Sequence, residues 1–345
     1  MATIKEIARM ANVSTATVSH VLNGTARISD ETKGRVLEAV KKTNYKPNSI
    51  AKSLKIKRTN TIGIITEDIT VFNTPEIING INECAENYNY HILLNNIRLF
   101  QRVGNNYKDT KKFTNVISDI VNDLISKQVE GIIYVGAHCR DISGLIENSP
   151  VPIVYTYCYT ADESEVSIYY DDEGAAYEIT NYLIKKGHKK IGIVTGLLDS
   201  VQCQDRLKGF QRALYEANLL FNPQYMGCGS WEFEKGYLAG KELLSLPEPP
   251  TAIFSMNDVM AGGIIDAANE LGINVPGALS VAGFDNRECS NAYSPKLTTM
   301  ALPLNEIGKI SAQLLIDLVK GDRDHKEHVI KLQCKLIERK SVNSI

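Results

Sequence analysis

Polar side chains that can bind a small ligand follow two short apolar runs in the second half of the sequence. The run "FSMND" ends in Asn257 and Asp258, and the run "VAGFDN" ends in Asp285 and Asn286. If these runs are parallel strands, their carboxyl ends meet at one edge of a sheet, where α/β proteins bind their ligands. An Asp at a strand end can also be a simple helix cap, so each residue alone carries little weight.

Three further residues strengthen the prediction of a ligand cleft. The stretch "SVQCQDRLKGF" brings Gln202 and Arg206, and the only tryptophan, Trp231, follows "GCGS". A planar ring can cover the apolar C–H face of a sugar while carboxylate, amide and guanidinium groups bond adjacent hydroxyls. Together these residue types predict a cleft for a small polyhydroxyl ligand.

The elements that must position these residues are alternating strands and helices. The first set of predicted strands is "TIGIIT", "HILLNN", "GIIYVG" and "PIVYTY", and the second is "VSIYYDD", "KIGIVTG", "TAIFSMND" and "LSVAGFDN". Helical periodicity separates them, with helices at 173–186, 205–217, 231–244 and 259–271 in the second set. Continuous apolar strands spaced by helices predict an α/β core of two lobes, each a doubly wound parallel sheet. The segment 97–112 is longer than usual connections, and it either lines the cleft mouth or covers an edge.

The first 58 residues differ from the rest in charge. They carry 12 Lys/Arg against 4 Asp/Glu, whereas the remainder carries 26 against 36. A basic excess of this size in so short a segment is typical of a module that binds the phosphates of nucleic acid.

Apolar spacing in this basic segment predicts three short helices, which makes it an all-α headpiece. Thr3, Ser14 and Ser29 can cap their N-termini, and Asn12 tolerates the left-handed conformation of a tight turn between the first two. The third helix is predicted to be buried through Val36, Leu37 and Val40. Such an arrangement is a helix-turn-helix, whose second helix fits the major groove of DNA; an ordinary three-helix bundle is the alternative.

Short polar side chains on the predicted second helix suit contact with DNA. We expect base reading by Thr15, Ala16 and His20, and phosphate contacts by Ser14, Thr17, Ser19 and Asn23. The predicted DNA-contacting set also includes Thr3, Ser29, Thr32, Tyr45, Asn48, Ala51 and Leu54.

Residues 47–58 are predicted to link the headpiece to the core. The seven residues 48–54 are too few for a stable isolated helix, since helices below about 12 residues are marginal in water. We expect them to become helical only against their twin from a second subunit and against DNA, where a Leu can wedge between base steps. A plain basic linker is the alternative.

The stretches "TIKEIARMANVSTATVSHVLNG", "ISDETKGRVLEAVKKTNYKPNSIAKSL" and "GFDN" with "SPKLTTM" resemble the lactose-repressor (LacI/GalR) family of bacterial transcriptional regulators. The resemblance covers nearly the whole chain. It implies that the helix beginning at the V-S-x-x-T-V-S signature reads the major groove and that Leu54 is the wedging residue of a hinge helix.

The same resemblance implies an effector site in the cleft. Arg206, Trp231, Asn257 and Asp285 occupy positions that bind the effector in sugar-responsive members. The matching candidates of the first lobe are Thr74, Pro75, Ile77 and Tyr157. Tyr157 departs from the acidic residue of the lactose repressor, and Thr15, Ala16 and His20 depart from the reading residues of well-known members, so neither a galactoside nor an operator sequence carries over.

The expected organisation is a headpiece at 1–46, a hinge at 47–58 and an effector-binding core at 59–345. Within the core we predict lobe 1 at about 59–160 and 292–321, and lobe 2 at about 161–291 and 322–345. We expect a homodimeric, cytoplasmic repressor of carbohydrate-utilisation genes that binds double-stranded operator DNA and a sugar or sugar phosphate. The chain stops soon after "CKLIERK" without apolar heptads, which predicts a dimer rather than a tetramer.

Other functional classes lack their motifs. The sequence has no phosphate loop, no H-E-x-x-H, no G-x-S-x-G and no G-x-G-x-x-G after a strand, so we expect no enzyme, cofactor or metal. His188 in "KKGHKKIG" is interpreted as a residue of a helix C-terminus, where a cation is favoured.

The seven scattered cysteines are expected to be buried thiols. Neither a signal peptide nor a membrane span is predicted. A sugar-binding transport protein and a regulator with a phosphoprotein corepressor remain the alternatives.

Overall fold

The computed structural model describes residues 2–45, 59–103, 112–146, 149–322 and 328–345. The chain divides into two compact units, residues 1–59 and 60–345. Among the described residues, no helix is both long and apolar enough to cross a membrane.

The first unit contains three helices: α1 (Ile4–Ala11), α2 (Thr15–Asn23) and α3 (Asp30–Thr43). Each begins after a hydroxyl residue whose side chain accepts a backbone N–H, as predicted for Thr3, Ser14 and Ser29. Asn12 after α1 is left-handed (φ 52°), which lets α2 follow after a short turn.

The headpiece has a small core of its own. Its buried members are Ile7, Ala8, Ala11, Val18, Val36 and Ala39. The prediction that Leu37 is buried is wrong, because the inward stripe of α3 runs through Val36, Ala39 and Val40 and leaves Leu37 47% exposed.

The second unit begins with a six-stranded sheet of only parallel pairs. Its strands are β1 (Thr61–Thr66), β2 (His91–Asn96), β3 (Gly131–Val135), β4 (Ile153–Thr156), β5 (Val166–Tyr170) and β11 (Val329–Leu332). They lie side by side in the order β11-β5-β4-β3-β1-β2. The helices between its strands are α4 (Thr74–Asn87), α5 (Leu99–Val103) and α6 (Thr114–Ser126). We call this sheet with its helices lobe 1.

A second parallel sheet follows along the chain. Its strands are β6 (Ile191–Thr195), β7 (Met226–Cys228), β8 (Ala252–Ser255) and β9 (Ser280–Ala282), in the order β7-β6-β8-β9. Four helices accompany it: α7 (Asp172–Lys185), α8 (Val201–Glu216), α9 (Phe233–Leu244) and α10 (Asp258–Glu270). We call this group lobe 2.

The remaining elements complete the core. They are α11 (Cys289–Ala292), α12 (Leu304–Lys320) and an antiparallel pair of β10 (Thr299–Ala301) with β12 (Lys335–Ile337). Helix α12 packs on α4 and on β3, β4 and β5, and so belongs to lobe 1.

The structure corrects two of the predicted lobe boundaries. The run "VSIYY" was predicted in lobe 2, yet β5 pairs in parallel with β4 of lobe 1. Residues 329–332 were also predicted in lobe 2, yet β11 pairs with β5 and extends the same sheet. The chain therefore passes from lobe 1 to lobe 2 between Tyr170 and Asp172, where Asp171 caps α7.

The structure also corrects the interpretation of His188. Its side chain is buried, with Nδ1 3.0 Å from Thr251 Oγ1 and Nε2 3.2 Å from the carbonyl oxygen of Asn343. Burial lowers the pKa of this imidazole, so a neutral ring that joins the C-terminal segment to lobe 2 replaces the predicted cation.

All seven cysteines are free thiols. Five of them are buried as predicted, whereas Cys228 is exposed and Cys289 is half-buried.

Candidate DNA-binding face and effector cleft

One face of α2 is available for contact with another molecule. Val18 is fully buried in the headpiece core, whereas Thr15, Ala16, His20 and Asn23 are exposed. Residues three and four apart lie on the same side of a helix, so the predicted reading residues form one surface.

Ser14 and Thr17 form the N-terminal cap of α2. The backbone N–H of Thr17 donates to Ser14 Oγ over 3.1 Å, and the two hydroxyls are 2.9 Å apart. Thr3 plays the same part for α1, and Ser29 with Thr32 for α3. These predicted DNA contacts thus belong to caps at helix N-termini, where the aligned backbone dipoles favour an anion.

Side chains at the end of α2 are held by local bonds. His20 Nδ1 is 2.9 Å from Thr25 Oγ1, and Asn23 Nδ2 donates to the Ser19 carbonyl over 2.8 Å. Tyr45 is half-buried and packs on the headpiece core. Asn48, Ala51 and Leu54 lie outside the described residues, as does the whole predicted hinge at 47–58.

In the second unit, the side chain of Arg206 on α8 is the centre of a buried group. Its Nε donates to Asp172 Oδ1 over 2.6 Å and its Nη2 donates to Tyr170 Oη over 2.9 Å. Nη1 donates to the carbonyl oxygen of Met256, and Asp285 Oδ1 lies 3.7 Å from Nη2. This group, together with Phe284 and Trp231, is the arginine cluster.

Aromatic rings cover the guanidinium. Its central carbon lies 3.7 Å from the centroid of Phe284 and 5.5 Å from that of Trp231. The indole lies against Gly196 after β6, where any Cβ would come within 2.0 Å of the ring. Glycine is therefore required at 196 for Trp231 to lie where it does.

The two carboxylates of the arginine cluster have raised pKa values. Burial raises the pKa of Asp172 to about 6 and that of Asp285 to about 8, while Arg206 acts in the opposite direction. Arg206 itself stays protonated, because the tyrosine and the carboxylates around it raise its pKa.

Tyr157 (φ 59°), Trp231 (φ 71°), Asp285 (φ 104°) and Asn286 (φ 53°) have left-handed backbones although none of them is glycine. Backbone strain of this kind collects at functional sites, where the surrounding structure holds it. Tyr157 reaches the arginine cluster indirectly, through a 3.2 Å contact between its hydroxyl and that of Tyr170.

Lobe 1 supplies further polar groups at the end of β1 and the start of α4. Thr66 Oγ1, Thr74 Oγ1 and both amide atoms of Asn73 are buried without a hydrogen-bond partner among the described residues. Buried polar atoms are normally bonded, so these atoms are suited to bond a ligand. Phe72 beside them stacks under Arg287 of lobe 2 at 4.6 Å, and so the two lobes touch here.

The remaining predicted residues have varied positions. Asn257 accepts the Met260 N–H (2.7 Å) as the cap of α10 and donates to the Trp231 backbone carbonyl (3.1 Å), so it fixes the backbone that carries the ring. Gln202 is buried in the first turn of α8, Ile77 lies in the hydrophobic core, and Pro75 is exposed.

The sequence reasoning missed three members of the arginine cluster. Asp172 comes two residues after β5, as Asn257 comes two residues after β8, and the same rule would have found it. Tyr170 and Phe284 were counted only as apolar strand residues, although each ends or follows a strand that points at the cleft. Among the described residues, no group of His, Cys, Asp and Glu is placed to hold a metal ion.

Two family models match the chain. Residues 3–48 match "Bacterial regulatory proteins, lacI family", and residues 180–342 match "Periplasmic binding protein-like domain". The first range covers the helix-turn-helix and the second lies within the two-lobed unit.

Curated relatives match over the full length. The chain is 35% identical to the HTH-type transcriptional repressor PurR of Photobacterium profundum over 350 residues, and 33% identical to that of Vibrio vulnificus over 351; both alignments cover 100% of each chain. A crystal structure of the lac repressor dimer bound to operator and the anti-inducer ONPF superposes with a TM-score of 0.79 at 25% identity, covering 99% of each chain. The chain therefore belongs to the lacI family of bacterial regulatory proteins, and it is a DNA-binding transcriptional repressor with a ligand-binding core rather than an enzyme.

Proposed function

We propose that this repressor reads a two-fold symmetric operator with α2 and that a small sugar bound at the arginine cluster controls it. The DNA half of the proposal is supported by the exposed face of α2 between capped helix N-termini. The dimer is supported by the lac repressor structure, which is a dimer on its operator.

The observation that carries the effector half is the convergence of groups from both lobes. Arg206 of lobe 2 donates to Tyr170 of lobe 1 over 2.9 Å, and Asp285 and Trp231 of lobe 2 lie against the same guanidinium. The cluster therefore lies where the lobes can close or separate. A ligand that changes this contact needs a coupling of only about 1–3 kcal/mol to alter operator occupancy several-fold to a hundredfold.

Site selection from a random pool of duplex DNA tests the DNA half with the full-length protein. We expect enrichment of near-palindromic sites, because a symmetric dimer presents two copies of α2. His20→Ala should change the bases selected, whereas Ser14→Ala should weaken binding to all sequences alike. Enrichment of the same bases by parent and His20→Ala would contradict base reading by His20.

A thermal-shift screen against uncharged mono- and disaccharides and their phosphates tests the effector half. A sugar that raises the melting temperature should do so in the parent but not in Arg206→Lys, because a lysine cannot reproduce the fork of the guanidinium. The matched control is Arg212→Lys on the same helix, whose exposed side chain pairs with Glu173. The hit is then tested for its effect on operator binding.

A phosphoprotein corepressor is the second candidate for control, and retention of the repressor by an immobilised phosphorylated carrier protein would favour it. We place the protein in the cytoplasm with the DNA it binds.

A further inference from the structure

Most N–H donors of Arg206 are already bonded within the protein, so few remain for a negatively charged ligand. Three of its five N–H donors are bonded to Asp172, Tyr170 and Met256, and a fourth faces Asp285. Phe284 lies against the plane of the guanidinium. The side chain is only 4% exposed, so solvent does little to reorganise these contacts.

The acidic side chains of the arginine cluster also disfavour the binding of an anion. Two carboxylates, Asp172 and Asp285, lie within 3.7 Å of one guanidinium. Burial raises the pKa of Asp285 to about 8 and that of Asp172 to about 6, so at neutral pH the charge of Arg206 is balanced mainly by Asp172. A phosphate group placed here would add two further charges beside both acids.

A second guanidinium, that of Arg287, is held against the ring of Phe72 where the lobes touch. It stacks on Phe72 at 4.6 Å, and the backbone N–H of Arg287 donates to Asp258 Oδ2 over 2.6 Å. The groups that remain for a ligand are acceptors and neutral donors: the free lone pairs of Asp285, and the unpartnered Thr66, Asn73 and Thr74 side chains described above. These suit hydroxyl groups.

Resting on the proposed effector site, we infer that Asp172 sets its charge specificity: its carboxylate occupies and neutralises Arg206 beside Asp285, so that the cleft accepts an uncharged polyhydroxyl ligand and rejects phosphate esters. Asp172 is a positioning residue, since it acts through Arg206.

Inorganic phosphate is the probe for the first test, used with the full-length protein and exchanged against chloride at constant ionic strength. The parent should show no saturable phosphate-dependent rise in melting temperature. Asp172→Asn keeps a carbonyl oxygen for Arg206 Nε but removes the charge, and it should gain a saturable rise of about 2–4 °C once phosphate is about tenfold above its dissociation constant. Adding Arg206→Gln to Asp172→Asn should abolish the gain.

Asp205→Asn is the matched control. It removes one negative charge next to Arg206 in sequence, but Asp205 bonds Lys208 over 2.7 Å and does not touch the guanidinium. It should behave like the parent, and an equal gain in this control would show that net charge, not Asp172, excludes phosphate. Asp172→Asn/Asp285→Asn should bind phosphate more tightly still.

Several results would overturn the inference. Phosphate binding by the parent that requires Arg206 would contradict it directly. A gain in Asp172→Asn/Asp285→Asn but not in Asp172→Asn would assign the exclusion of phosphate to Asp285 instead. No gain in either variant would show that removing these charges does not free Arg206 to bind phosphate.

A panel of uncharged sugars paired with their phosphate monoesters supplies a second measurement on the parent, which does not depend on any variant folding. Stabilisation by an uncharged member over its phosphate supports the inference, and stabilisation by phosphates alone overturns it. Operator binding measured on the same samples separates the two proposals, because a parent that binds no operator contradicts the proposed function without changing the phosphate result.

Discussion

Arg206 forms a buried ion pair with Asp172 in the cleft. Its side chain and that of Asp172 are 4% and 6% exposed, and the pair is closed by a 2.6 Å bond. Breaking a buried ion pair from one side leaves an uncompensated charge, and this typically costs about 3–5 kcal/mol. This cost comes from the charge that is left unpaired, so it does not measure how much the intact pair stabilises the fold.

We predict that Arg206→Ala lowers the free energy of unfolding by about 3–5 kcal/mol near pH 8 and by less near pH 5. Without the guanidinium, the pKa values of Asp172 and Asp285 rise further, so both acids are protonated and neutral at pH 5 in the folded protein. A raised folded-state pKa gives stability that is present at low pH and lost as pH rises through that pKa. Urea titration followed by the fluorescence of Trp231, the only tryptophan, measures the effect.

Arg212→Ala serves as the control for this prediction. Its side chain is 43% exposed and pairs with an exposed Glu173, so the loss should stay near 1 kcal/mol or below. Equal losses for both variants would mean that the buried pair has no special weight.

His188 gives a second prediction, in which the effect of the substitution also falls at low pH but for a different reason. Because burial lowers the pKa of His188 below its unfolded value near 6.5, its contribution to stability is present above about pH 6.5 and is lost as pH falls through the folded pKa. The stability advantage of the parent over His188→Gln should therefore shrink from pH 7.5 to pH 5, by at most about 1.4 kcal/mol per pH unit. Melting curves of both proteins across this range check it, and a constant difference would contradict a neutral buried ring.

At the scale of elements, helix pairs in both lobes cross so closely that only glycine fits. A Cβ on Gly80 of α4 would lie 2.0 Å from the carbonyl oxygen of Asn305, and one on Gly308 of α12 would lie 2.1 Å from that of Ile77. In lobe 2, Gly209 of α8 makes the same approach to Glu173 of α7. Backbone atoms cannot yield as the end of a side chain can.

We predict that Gly80→Ala destabilises the core by at least about 1–3 kcal/mol, the usual cost of overpacking. Gly34 in α3 is the contrast, since nothing lies within 4 Å of its added Cβ. Gly34→Ala should stabilise the headpiece by up to about 1 kcal/mol, because alanine favours a helix. Differential scanning calorimetry of both variants measures the two transitions, and tolerance of Gly80→Ala would show that α4 and α12 can separate.

The sequence predicted most elements, because continuous apolar runs and helical stripes report burial directly. It could not predict which sheet "VSIYY" joins, since the strand precedes a lobe 2 helix but pairs with β4 of lobe 1. Strand β11 joins β5 from about 160 residues further along the chain, and no local pattern reports such pairing. In the site, Arg206 and Asp285 were predicted from strand-end chemistry, while the bond from Arg206 to Asp172 depends on how α7 and α8 pack on each other, which no local pattern reports.

At the scale of the whole molecule, charge is divided between the two units, and this division predicts two different responses to salt. Residues 1–58 hold a threefold excess of basic over acidic residues, and the remainder is acidic. Operator binding through 6–10 phosphate contacts should fall by about 10³–10⁵ between 50 and 200 mM salt, because binding releases counterions from DNA. Effector binding should change little over the same range, because Arg206 is buried and already paired. Fluorescence anisotropy with a selected operator measures the first, and titration of Trp231 fluorescence with the sugar found by thermal shift measures the second. An effector affinity that falls with salt as steeply as operator affinity would indicate a charged ligand and contradict the specificity inferred for Asp172.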